Sequence, residues 1–161
     1  MKIKAFIAMA AACCMAFSCN SPVELGGADW VFDTVNGEKV TTSEKIPFIE
    51  FSETDGRVHG CLGVNIVNGS YTLDGNKLTF SQMASTMMAG LPADMEVEGK
   101  LGAALGTVAS VSVKGETMSL KDAEGNVVLT LVKSETPIET EATTSASLPY
   151  EEESADSTSA E

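Results

Sequence analysis

Residues 60–90, GCLGVNIVNGSYTLDGNKLTFSQMASTMMAG, constrain the fold more than any other part of the chain. Tyr71 and Leu73, then Leu78 and Phe80, recur at every second position on either side of Asp74-Gly75. A side-chain period of two broken by a turn dipeptide reads as an antiparallel hairpin. Asn68-Gly69 supplies a second place where positive φ is cheap, so the run Gly60, Gly63, Asn65, Gly69 is expected to bend or bulge before the hairpin begins.

The flanking segments repeat the same signal. Trp30-Val31-Phe32 with Thr34-Val35 predicts a first strand ending at Asn36-Gly37, and residues 48–51 and 57–59 predict a pair about Asp55-Gly56. Val111 to Val113, Thr117 to Leu120 and Val127 to Leu131 predict a three-strand meander with short turns. Between Pro92 and Ala109 the period changes: Val97, Leu101, Ala104, Leu105 and Val108 follow 3.6 residues, with Pro92 suited to a first helical turn. Gly99, Gly102 and Gly106 each cost that helix roughly 1 kcal/mol relative to Ala. Their spacing puts them on one stripe, which lets the helix lie close to the sheet; the other reading is a weak helix held only by packing.

The chain ends are of a different kind. Lys2 and Lys4 precede an apolar run over residues 5–17, a secretory signal too short for the roughly 20 apolar residues of a membrane span. Ala16-Phe17-Ser18-Cys19 resembles a bacterial lipobox, in which Cys19 receives lipid and becomes the mature N-terminus; it departs from that pattern in lacking Leu three residues before the cysteine. An ordinary signal peptide with an incidental cysteine is the alternative. The expected organisation is a signal peptide over 1–18, a lipidated tether over 19–27, one domain over 28–133 and a disordered acidic tail over 134–161, whose eight acids face no base. Stable membrane attachment needs more than one acyl chain, as such cysteines normally carry. Asn20-Ser21 lacks the Asp associated with inner-membrane retention, which favours the outer membrane and leaves periplasmic or surface orientation open.

Outside the signal and the tail, 15 acids stand against 8 bases, a charge of −7 that disfavours nucleic acid as a partner. Once the signal is removed and Cys19 is acylated, Cys61 is the one remaining thiol, so no disulfide forms within the chain. Burial on a strand as a small hydrophobe is its expected fate, and availability for pairing between molecules is the alternative. His59, the single histidine, lies two residues before Cys61, on the same side of a regular strand, but spacing alone does not make a working thiolate–imidazole pair. Asp55, Asp74 and Glu124 each precede glycine and fit turns better than a calcium site. Met83, Met87, Met88 and Met95 either line a soft binding mouth or pack, packing being the commoner role. No catalytic residue, cofactor or metal site is expected.

The order Gly60, Gly63, Asn65, Gly69-Ser70-Tyr71, Asp74-Gly75, Leu78-Thr79-Phe80, Ala84-Ser85-Thr86, Met88-Ala89, with Trp30 opening the first strand, resembles the META domain found in HslJ-like envelope lipoproteins. The resemblance implies an α+β fold, predominantly antiparallel β, with a small curved or barrel-like sheet closed by one helix. It marks Trp30, Gly60, Gly63, Asn65, Gly69, Tyr71, Gly75 and Thr86 as structural positions, and it implies a noncatalytic role in envelope stress or antibiotic tolerance. Many members of that family carry cysteines where Val64 and Gly90 stand here, and both are absent, as after loss of a bridge. By alternation, Cys61 is expected on the opposite face from Val64 unless a bulge intervenes. Expected partners are the membrane through the lipid, an unknown envelope protein or, in the carrier reading, a hydrophobic ligand inside the barrel. An enzyme is the third class.

Overall fold

The computed structural model describes residues 23–138. In chain order they form β1 (Asp29–Val35), β2 (Glu38–Lys39), β3 (Phe48–Ser52), β4 (Arg57–Cys61), β5 (Ile66–Asp74), β6 (Lys77–Phe80), β7 (Ala84–Ser85), α1 (Pro92–Leu105), β8 (Ser110–Lys114), β9 (Thr117–Lys121) and β10 (Val127–Lys133). The hairpin, the paired third and fourth strands, the meander and the single helix stand where residue periodicity predicts them. The two-residue strands β2 and β7 have no such signal.

Hydrogen bonding runs β10-β9-β8-β6-β5-β4-β3-β1, and β1 pairs with β10, so eight antiparallel strands close on themselves. This is the small α+β barrel with one helix that the family resemblance implies. Inward residues follow the pleat, Ile49 and Phe51 on β3, Met118 and Leu120 on β9, and Leu129 and Leu131 on β10, all buried. On β1 a register shift between Phe32 and Thr34 lets Trp30, Phe32 and Val35 all reach the interior, which strict alternation forbids. Each such apolar side chain contributes about 1.5–3 kcal/mol on burial.

The barrel has two unlike ends. At one, Leu25 is 0% exposed and its carbonyl accepts the indole N–H of Trp30 at 2.8 Å. Its own amide donates to Glu53 Oε1 at 3.2 Å. The packed unit therefore reaches upstream of the expected Ala28 boundary, and Val23 also touches the core. At this same end the chain leaves β10: Ser134 N donates to Asp29 O at 2.8 Å and Ile138 N to the Asp29 carboxylate. Residues 134–138 are thus folded back on β1 rather than belonging to a free tail. Residues 1–22, with the signal and Cys19, and the tail from 139 onward lie outside the described residues.

The other end is covered by α1, which buries Leu101, Ala104 and Leu105. Pro92 stands in the first turn and Gly106 is the C-cap, so only Gly99 and Gly102 interrupt the helix interior. Their cost of about 2 kcal/mol is offset by burial of the two leucines, worth about 3–6 kcal/mol. The expected close approach through the glycine stripe does not occur. A Cβ at Gly99 would meet nothing within 4 Å, and one at Gly102 would meet only Leu62 Cδ1 at 3.9 Å.

Tyr71 ties the wall to the β3–β4 turn, its ring edge-on to Phe51 at 5.1 Å and its hydroxyl donating to Ser52 O at 3.3 Å. Burial first, then the carboxylates of Glu53 and Asp55, push its phenol above its ordinary value. A raised folded-state value means the fold holds this proton more tightly than the unfolded chain does. Its stabilisation is complete below the unfolded value of about 10 and is lost as pH rises through the folded value. Tyr71→Phe should accordingly flatten the alkaline fall in urea midpoint between about pH 9 and 11. An unchanged fall would assign that limb to Lys100, whose ammonium Glu96 and Glu38 also hold above its usual value.

Candidate functional site

Among the described residues the most heavily bonded side chain is Asn65, 3% exposed, in the link between β4 and β5. Its Oδ1 accepts from Met88 N at 2.7 Å and from Thr86 Oγ1 at 2.9 Å. Its Nδ2 donates to Glu98 Oε1 at 2.8 Å and to Met88 O at 3.3 Å. All four bonding positions of the amide are filled. Thr86 in turn accepts from Ile66 N at 3.0 Å, and Glu98 Oε2 accepts Asn65 N at 2.7 Å and Val64 N at 3.2 Å. One turn earlier on α1, buried Asp94 accepts from Ser43 N at 3.0 and 3.2 Å. This clasp pins the segment after β7 and the first half of α1 to the barrel wall.

Gly63 allows the clasp to form. Its φ of 119° lies in a region that side chains avoid, and the break it makes ends the β4 alternation before β5 begins. The alternation on which the expected face of Cys61 rests does not run through this break, since Val64 lies outside both strands. Cys61 and Val64 are both buried, and neither belongs to the interior cluster of the barrel. A Cβ at Gly90 would stand 3.3 Å from Val64 Cβ, so the two positions implied to be a lost bridge are in contact.

The remaining motif positions serve the wall rather than the clasp. Gly60, in β4 opposite Ile49, has no room for a Cβ, which would stand 2.3 Å from Phe48 O. Gly69 is corrected: it does not take positive φ but sits within β5 opposite Val58, where Met83 fills the space of the missing side chain, 2.7 Å from the Cβ position. Gly75 carries φ 61° in the two-residue turn between Asp74 and Lys77. Trp30 packs into the core, and Tyr71, partly buried, packs against it.

The methionines divide. Met83 packs on the core, whereas Met87 is 99% exposed and Met88 and Met95 are partly or largely exposed alongside Leu91. The packing role therefore fails for three of the four. Met83 and Met95 both line a groove of ≈ 470 Å³ whose apolar lining also includes Leu62, Val67, Phe80 and Leu105. Gly99, Gly102 and Gly106 form its helical wall.

His59 and Cys61 are not joined by a hydrogen bond among the described residues. His59 Nδ1 pairs with Asn68 Oδ1 at 2.8 Å, and the Cys61 sulfur, 1% exposed, accepts from Gly63 N at 3.5 Å. Among the described residues no three His, Cys, Asp or Glu side chains are grouped to hold a metal ion.

Residues 23–135 match the META domain family model. The chain belongs to the META domain family. Two solved structures share the fold. One, known by NMR, has 27% identity over 67% of this chain and 90% of its own length, with a TM-score of 0.53. The other, the NMR structure of a protein from Burkholderia xenovorans, has 23% identity over 84% of this chain and 99% of its own, with a TM-score of 0.55. No curated protein matches the chain significantly.

In this META domain, Asn65, Thr86 and Gly63 come together, while Trp30, Gly60, Gly69, Tyr71 and Gly75 are dispersed over the wall and its turns. Sequence reading misses Glu98 and Asp94, which complete the clasp. The available signal was their spacing: two carboxylates four residues apart, the first in the opening turn after Pro92, lie on one face of a helix.

Proposed function

We propose that this META domain is a lipid-anchored, noncatalytic module of the bacterial cell envelope, HslJ-like in kind, that acts by binding another envelope protein, with a role in stress or antibiotic tolerance. One observation carries the reading. Ile49, Phe51, Leu78, Met118 and Leu120 are buried within the barrel, whereas Met87, Met88, Leu91 and Met95 stand exposed beside α1. A carrier of lipid needs interior volume. A binding module needs an apolar surface outside, and flexible thioethers suit such a surface.

Cys19 is the proposed anchor, and the outer membrane the proposed site. Fractionation of cells expressing Cys19→Ala should move the protein from the membrane to the soluble fraction and abolish incorporation of labelled palmitate. A variant that remains in the membrane with its label would refute the anchor. A separate titration with a fluorescent fatty acid should show no saturable uptake; stoichiometric uptake would favour the carrier.

A further inference from the structure

The wall of the barrel is nearly open at one seam. β6 and β8 share a single register pair, Lys77 with Ser110, backed by Leu78 N donating to Ala109 O at 3.2 Å and Val111 N donating to Asn76 O at 2.9 Å. Beyond Leu78 the chain runs on to β7, which pairs with β5 on one side and, among the described residues, with no strand on the other. The groove lies along this unpaired edge. Its floor is Leu62 and Val67, its strand side Phe80 and Met83, and its helical side Met95 with the glycines of α1. Nothing among the described residues requires Gly99 or Gly102 to be glycine, since a Cβ fits at both, yet each weakens the helix. Small residues there leave the groove wide enough for another backbone.

The occupant follows from where the chain leaves the fold and from charge. Only residues 20–22 separate Cys19 from Val23, a reach of about 14 Å when extended. Val23 to Leu25 sit against Trp30 and Glu53, at the barrel end opposite α1. If Cys19 carries the anchor, as proposed above, the groove and the methionine rim lie away from the bilayer by about a strand length, roughly 20 Å for the seven residues of β1. The anchoring membrane therefore does not cover them. Residues 139–161, with seven acids and no base, are of the wrong sign to lie beside Glu98, which lines the groove, in a domain already at −7.

We propose that the slot between residues 79–85 and α1 receives an extended apolar segment with basic flanks from a partner protein, added as a strand to the β6–β7 edge, with its side chains among Phe80, Met83 and Met95. Strand addition supplies main-chain hydrogen bonds, and alternate side chains enter the groove.

The test uses the intact lipidated chain in phosphatidylcholine nanodiscs, titrated against a fluorescein-labelled peptide in which leucine and threonine alternate between terminal lysines. Anisotropy should report saturable binding. Gly99→Leu and Gly102→Leu should each weaken it roughly tenfold or more by filling the groove. Both variants should melt no lower than the parent, because leucine is the better helix former. Replacing the central threonine of the peptide by proline should abolish binding, since proline cannot donate to a ladder. No saturation, equal affinity for the glycine variants, or equal affinity for the proline peptide would each overturn the proposal. So would quenching of a fluorophore placed at Met87 by nitroxide lipids in the same nanodisc, which would put the rim at the bilayer. Failure of the anchor is read separately, by fractionation of Cys19→Ala, and does not alter the peptide titration.

Discussion

Asn65→Asp should unfold this domain far more readily than an exchange of one atom ordinarily does. The change replaces the Nδ2 donor, now bonded to Glu98 Oε1 at 2.8 Å and to Met88 O at 3.3 Å, with an acceptor oxygen. A second carboxylate would then face the first at a site 3% exposed, where two acceptors cannot bond and like charges repel. Removing one partner from a buried hydrogen-bonded group costs about 1–3 kcal/mol, and the ionised version more. The expected loss is about 4 kcal/mol, or a fall in melting temperature on the order of 15 °C or more at neutral pH. Asn65→Ala should cost somewhat less, about 2–4 kcal/mol, because it orphans Met88 N and the Thr86 hydroxyl without adding charge. Thermal unfolding of the three proteins at one pH decides the order. If Asn65→Asp melts with the parent, the Asn65 clasp does not hold α1 to the barrel.

Much of the barrel was legible because its signals are local. The alternation of Tyr71, Leu73, Leu78 and Phe80 about Asp74-Gly75 needs no knowledge of the rest of the chain. The clasp was not legible in the same way. Asn65 stands out by its place in the family motif, but its four partners come from residues 86, 88 and 98, brought near only when β7 returns along β5 and α1 folds over the end. Glu98 looks like an ordinary exposed helix acid until the Val64 and Asn65 amides turn toward it. Glycine was the least readable residue of all. Gly69 precedes the hairpin as part of an Asn-Gly dipeptide, a composition that commonly marks positive φ, yet its task is to admit Met83. Nor does the sequence distinguish a glycine that packs from one that lines an open groove: Gly60 in β4 meets the backbone of β3, whereas Gly102 in α1 meets only Leu62 Cδ1 at 3.9 Å.

That difference sets up the second large effect. Gly60→Ala places a Cβ 2.3 Å from Phe48 O, 3.0 Å from Ile49 Cα and 3.2 Å from Phe48 C, all backbone atoms of the neighbouring strand. No rotamer change relieves a contact with main chain, so β3 and β4 must separate along the ladder that joins Phe48 to Cys61 and Ile49 to Gly60. Overpacking of this kind costs about 1–3 kcal/mol and more where the backbone itself must move, so about 3 kcal/mol is expected. Gly69→Ala meets a side chain instead, the Met83 Cγ at 2.7 Å, which is flexible enough to turn aside, and should cost about 1–2 kcal/mol. Gly99→Ala meets nothing within 4 Å and removes a helix-interior glycine, so it should gain about 1 kcal/mol. Urea midpoints for the three variants should therefore fall sharply, fall slightly and rise. A Gly60→Ala midpoint within error of the parent would mean that β3 and β4 are not packed as closely as their register requires, and the barrel wall beneath the Asn65 clasp would have to be redrawn.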